Sequence, residues 1–127
     1  MNILFICKYN RFRSKIAEAC FNKINKNKKI KVKSAGIIQG FPVNPNVISI
    51  AKEFGLKINP HPHGISSKLL KWQDKIIVVA DDVPIQILNK YKKEIIVWKI
   101  KDTKEDNKEA IRKIIKSIFI HVDKLNF

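Results

Sequence analysis

Arginine is scarce in this chain: of 26 Lys and Arg residues among 127, only Arg11, Arg13 and Arg112 carry a guanidinium. Cysteine is scarcer still. Cys7 and Cys20 form no CxxC pair and no Cys/His cluster of zinc-binding spacing, so neither a disulfide framework nor a structural zinc site is expected. "HPH" at 61–63 reads as a surface turn, with no cysteine or carboxylate beside it. No metal and no cofactor is expected. The longest apolar runs, such as "NILFIC" and "IIVVA", are too short to cross a bilayer. The first residues lack the basic start of a signal peptide. The expectation is a soluble, cytoplasmic protein without membrane contact. With 11 acidic residues the formal net charge is +15, which draws anionic substrates toward the whole molecule. The lysines are nonetheless spread over every segment, without a nucleic-acid-binding motif, so nucleic acid is not an expected partner.

What is present alternates regularly. Residues 2–6 read as a buried strand, and 14–26 as a helix with Ile16, Ala17, Cys20, Phe21 and Ile24 on one stripe. "KIKVKSAG" alternates apolar and polar and predicts a second strand ending near Ser34. A helix starting around Pro45 turns Val47, Ile48, Ile50, Ala51 and Phe54 inward and closes at Gly55. "SKLLKW" is at most a short helix capped by Ser66 or Ser67. "KIIVVA" has the continuous apolarity of a strand covered on both faces, followed by a helix over about 83–92 and a last strand in "EIIVWKI". The final helix carries Ile111, Ile114, Ile115, Ile118, Phe119, Val122 and Leu125 at helical spacing. Alternating strands and helices imply an α/β domain spanning 1–127, in three layers with a four-stranded parallel sheet of flavodoxin-like type. In such folds ligands bind beyond the carboxyl ends of the strands. Cys7, the Asp81–Asp82 pair and Asp102 all fall there.

Two of the three arginines stand in the loop after the first strand, "CKYNRFRS". A loop of this length before a helix N-terminus can curl so that successive N–H groups cradle a tetrahedral oxyanion. Arg13 can grip two oxygens bidentately, as lysine cannot. Arg11 points either to the rim of the same pocket or to solvent. The same field favours the thiolate of Cys7, which would lie beneath a bound phosphoryl group, in line for attack on phosphorus. Ser14 suits an N-cap and can also donate to the sulfur. The competing reading of Cys7 is a small buried core residue.

From Cys7 through Lys8, Tyr9, Asn10, Arg11, Phe12, Arg13, Ser14, Lys15, Ile16 and Ala17 to Glu18, the chain resembles the low-molecular-weight protein tyrosine phosphatase family. That family's loop reads Cys-x-Gly-Asn-x-Cys-Arg-Ser-Pro. The resemblance continues through "SAG" at 34–36, "GFPVNP" at 40–45, "EFGL" at 53–56, His61 and "IIVVAD" at 76–81. It implies a cysteinyl-phosphate on Cys7 and a phosphate-binding loop of residues 8–14, with Arg13 on the phosphoryl oxygens. Asn10 would hold the loop in shape and Ser14 would stabilise the thiolate. It also implies an aspartate acid after the last strand, for which Asp102 is the best match and Asp106 the next, while Asp81 and Asp82 shape the pocket wall. The implied substrate is a phosphorylated protein or small phosphate ester, with inorganic phosphate as product and inhibitor. Tyr9 replaces a glycine, Phe12 the family's second loop cysteine, Lys15 a helix-starting proline, and Thr103 the proline after the acid. The stretch "GIIQGF" lacks the family's tryptophan, leaving Phe41, Tyr9 and Trp98 as candidates for the aromatic wall. Two alternatives remain open: a thiol-dependent arsenate reductase, which shares fold and loop, and a phosphate- or phosphopeptide-binding module with little turnover.

Overall fold

The computed structural model of the chain describes residues 1–91 and 94–125. Four parallel strands, β1 (Asn2–Cys7), β2 (Lys31–Gly36), β3 (Lys75–Val79) and β4 (Ile95–Trp98), form one sheet in the order β2-β1-β3-β4. The central pair, β1 and β3, is the most apolar, and from Ile3 to Ile6 and Ile76 to Val79 every residue is fully buried. That burial is what continuous apolar runs require when both sheet faces are covered. One face carries α1 (Arg13–Ile24), α2 (Pro45–Glu53) and α4 (Lys108–Asp123), packed on Ile3, Phe5, Ile77 and Val79. The other carries the short α3 (Ser67–Trp72) and a 3-10 helix (Ile85–Tyr91), packed on Leu4, Ile6, Ile76 and Val78. Because β1 lies between β2 and β3, the connections leave it in opposite directions. The crevice beyond the carboxyl ends of β1 and β3 is thus the switch point where such sheets bind ligands.

Several expected elements shift, each for a local reason. β2 runs past Ser34 to Gly36, since Ala35 and Gly36 still pair with Ile6 and Cys7. The first helix stops at Ile24, not 26, where the Asn25 side chain donates to the Asn27 carbonyl and accepts from the Asn27 N–H, turning the chain. Ile24, expected on the inward stripe, is exposed at that fraying end. The helix expected over 83–92 is the 3-10 helix, and residue 92 lies outside the described residues. Over residues 85–89 Leu88 alone is buried while Ile85 and Ile87 face outward, so no 3.6-residue stripe holds α-turns there. α4 follows its predicted stripe, with Ile111, Ile115, Ile118 and Val122 buried. Among the described residues no helix is long and apolar enough to cross a membrane.

Ile115 on α4 is fully buried in the larger core. Ile115→Ala is expected to lower unfolding free energy by about 2–5 kcal/mol, read from the denaturant midpoint at unchanged m-value.

Candidate active site

The loop after β1 is held as a continuation of the sheet. Past the strands, Ile37 N–H donates to the Cys7 carbonyl and Ile38 N–H to the Lys8 carbonyl, each at 3.0 Å. Gly36 lies so close behind that an added Cβ would sit 2.5 Å from the Tyr9 carbonyl carbon and 2.6 Å from Asn10 N. Among the described residues Asn10 is the one non-glycine in the left-handed region, with φ 54°, a conformation asparagine tolerates better than most. Its fully buried amide satisfies three partners. Nδ2 donates to Ser14 Oγ at 2.7 Å and to Ser34 Oγ at 3.0 Å, and Oδ1 accepts from His63 N–H at 2.8 Å. The Ser34 hydroxyl in turn donates to Glu18 Oε1 at 2.7 Å. Ser14 Oγ, accepting from Asn10, lies 3.0 Å from Cys7 Sγ, and its hydroxyl is the donor when that sulfur is a thiolate.

Ser14 is therefore not the N-cap that the sequence suggested. Phe12 occupies that position without a side-chain bond, and the serine hydroxyl turns inward to the sulfur. Tyr9 needs no left-handed backbone where the family pattern has glycine. Room for it comes from the facing segment, where a Cβ on Gly40 would lie 3.0 Å from Tyr9 Cβ. Lys8 sits behind the ring, its Nζ 5.2 Å from the Tyr9 centroid.

Arg13 is 2% exposed and surrounded by acceptors. Nη1 donates to the Ile100 carbonyl at 2.9 Å, and Nη2 lies 3.0 Å from Asp82 Oδ1 and 3.6 Å from Asp102 Oδ2. Asp81 stands 3.7 Å away. Asp81 and Asp82 thus hold the guanidinium and do not line the pocket. A cavity of about 70 Å³ opens onto Cys7 and Arg13, walled by Tyr9, Phe12, Asp102 and Thr103 among others. Thr103, standing where the family has proline, donates its N–H to Asp102 Oδ1 at 2.8 Å, a bond proline could not make. Asp106 is exposed and does not line this cavity. Nor does Trp98 line it: its ring packs in the core 6.0 Å from Phe5 and 5.1 Å from His121, so it is no wall residue. Phe41 is 79% exposed and does not line the cavity either.

A model of the family described as low molecular weight phosphotyrosine protein phosphatase matches residues 2–125. The chain belongs to that family. Solved structures agree. The low molecular weight protein tyrosine phosphatase of T. tengcongensis is 26% identical, with a TM-score of 0.84 over 98% of this chain and 96% of that one. Wzb of Vibrio vulnificus, in complex with benzylphosphonate, is 26% identical, with a TM-score of 0.81 over 96% and 94%. An arsenate reductase of Archaeoglobus fulgidus is also 26% identical, with a TM-score of 0.77 over 96% of each chain. No curated protein sequence matches significantly. The chain is accordingly a hydrolase, a cysteine-based phosphatase acting on phosphate-containing substrates.

Several residues of the phosphatase site were not legible as such. Lys15, read only as a tolerable replacement for proline, is 3% exposed and donates Nζ to the His61 carbonyl at 2.9 Å. Burial lowers its pKa from the ordinary 10.5, against the opposing pull of Glu18 and the Cys7 thiolate. Ser34 and Glu18 stood in matched motifs without a role. Their signal was polarity on an otherwise buried strand end and helix face. Glu105, paired with Arg11, lay unremarked between the two candidate acids. Cys20 is fully buried, and burial pushes its thiol up to about 12.

Gly36→Ala is expected to lower kcat/KM about a hundredfold by displacing the loop, with a thermal midpoint showing that the sheet survives. For Lys15, the unfolded chain binds more protons than the folded one between the lowered folded pKa and 10.5. Wild-type stability relative to Lys15→Met should therefore rise with pH through that window, in urea titrations at about pH 8 and about pH 10.

Proposed function

We propose that this phosphatase hydrolyses aryl phosphate monoesters, phosphotyrosine in proteins foremost, through a cysteinyl-phosphate on Cys7. The observation that carries the reading is the sulfur of Cys7 beside the Ser14 hydroxyl, under a cavity walled by Arg13 and Asp102. The thiolate attacks phosphorus, the P–O bond to the leaving group breaks, and Asp102 gives that oxygen its proton. The Asp102 carboxylate then takes a proton from water as its oxygen attacks phosphorus, releasing inorganic phosphate and the thiolate. Backbone N–H groups of residues 8–14 and the Arg13 guanidinium hold the equatorial oxygens throughout. Asp102 is favoured over Asp106 because it lines the cavity and is oriented by Thr103 N–H. Tyr9, at the cavity wall, is the favoured aromatic contact for a phenyl ring. Two buried free cysteines agree with work in a reducing, cytoplasmic setting. An arsenate reductase relaying oxidation through Cys20 is disfavoured, since that thiol is fully buried and burial pushes its pKa up to about 12.

With p-nitrophenyl phosphate near pH 6 under reducing conditions, wild-type turnover is expected to vanish in Cys7→Ser. In Asp102→Ala it should fall about a hundredfold. No wild-type turnover despite vanadate binding would sink the hydrolase mechanism in favour of a binding module. Arsenate-dependent oxidation of a thiol reductant would favour the reductase.

A further inference from the structure

The Arg11 side chain lines the same cavity, as does Glu105, but has no role in the chemistry described so far. Its guanidinium donates from Nε and Nη2 to the Pro42 carbonyl at 3.4 and 3.2 Å, and Nη2 meets Glu105 Oε1 at 2.6 Å. The other carboxylate oxygen of Glu105 accepts from Asn44 Nδ2 at 3.0 Å, and the Glu105 carbonyl accepts from Asn46 Nδ2 at 3.2 Å. Asn44 is at the same time the N-cap of α2. Gly40 makes room for the arginine stem, since a Cβ there would lie 2.8 Å from Arg11 Cδ. One guanidinium thus joins the phosphate loop to the segment before α2 and to the far end of the stretch bearing Asp102. The near end of that stretch is held by Arg13 on the Ile100 carbonyl. Asp102 stands between two anchors, both reaching out from the same loop.

We propose that the Arg11–Glu105 pair is a clasp that positions Asp102 for proton transfer, so that Arg11 and Glu105 are positioning residues of the reaction. The proposal rests on the reading of Asp102 as the general acid. The pair is partly exposed, so it adds little to global stability. Its effect is local: a general acid works only within hydrogen-bond reach of the leaving oxygen, and a half-exposed aspartate on a surface segment needs that segment fixed. Lysine at position 11 could reach one acceptor but not span Pro42 and Glu105 with a planar fork.

The test compares kcat/KM for phenyl phosphate and 2,4-dinitrophenyl phosphate. Phenolate needs a proton to leave and dinitrophenolate does not, so the ratio of the two isolates the acid. Losses from weaker anion binding cancel in it. Arg11→Met and Glu105→Gln are each expected to raise the dinitrophenyl-to-phenyl ratio about tenfold, and the double variant to raise it no further. An unchanged ratio in both single variants overturns the clasp, as does a double variant whose effect is the product of the singles. Asp102→Ala, run alongside, must raise the ratio. If it does while the Arg11 and Glu105 variants do not, only the clasp falls. If it leaves the ratio flat, the acid is elsewhere and both readings fall.

Discussion

A guanidinium shut away from water costs several kcal/mol unless opposite charge and hydrogen-bond acceptors surround it, and Arg13 sets that condition for the whole carboxyl edge of the sheet. Three of the chain's 11 acidic residues, Asp81, Asp82 and Asp102, lie within ion-pair distance of this one side chain. The Ile100 carbonyl completes the shell. These groups come from the segments after β3 and β4, while Arg13 begins α1. The pairing therefore fixes where three elements end relative to one another. Each of the three carboxylates is itself partly exposed, so the shell is shared, and two carboxylates still face the guanidinium when any one is removed.

The same edge shows why the loop uses guanidinium twice in a chain otherwise served by lysine. Arg13 bridges a carbonyl and a carboxylate from two segments. Arg11 bridges a carbonyl from the segment before α2 and a carboxylate farther along the same stretch after β4 that Arg13 holds at Ile100. An ammonium presents its donors from a single point and cannot hold two separated acceptors in one plane. Lys15 marks the contrast, buried yet bonding one carbonyl, with burial working against its charge.

Much of this was legible. The apolar runs of β1 and β3 and the stripe of α4 are dictated by burial on both sheet faces and on one helix face, and periodicity reports burial directly. Cys7 and Arg13 stood out because nucleophile and guanidinium flanked a strand-to-helix loop. What periodicity does not encode is which partner a polar side chain prefers. Ser14 looked like a cap because serine caps helices, but Asn10 and Cys7 claimed its hydroxyl. Trp98 looked available because it is aromatic and near the strand end, yet the parity of β4 turned it into the core. Arg11 was left undecided between rim and solvent because its partners, Pro42 and Glu105, lie 31 and 94 residues away in sequence.

The bonds from Ile37 and Ile38 to the carbonyls of Cys7 and Lys8 carry the β1–β2 ladder into the anion cradle itself. The cradle is thus not a flexible loop that folds around its ligand. Opening it requires breaking those two bonds at the end of the sheet, which a loop free of the ladder would not need. The conformational entropy of shaping the cradle is lost when the chain folds, not when phosphate arrives. On the proposed function, an incoming phosphoryl group would meet a loop already tied to the sheet at Cys7 and Lys8, and its affinity would not be reduced by having to organise that backbone.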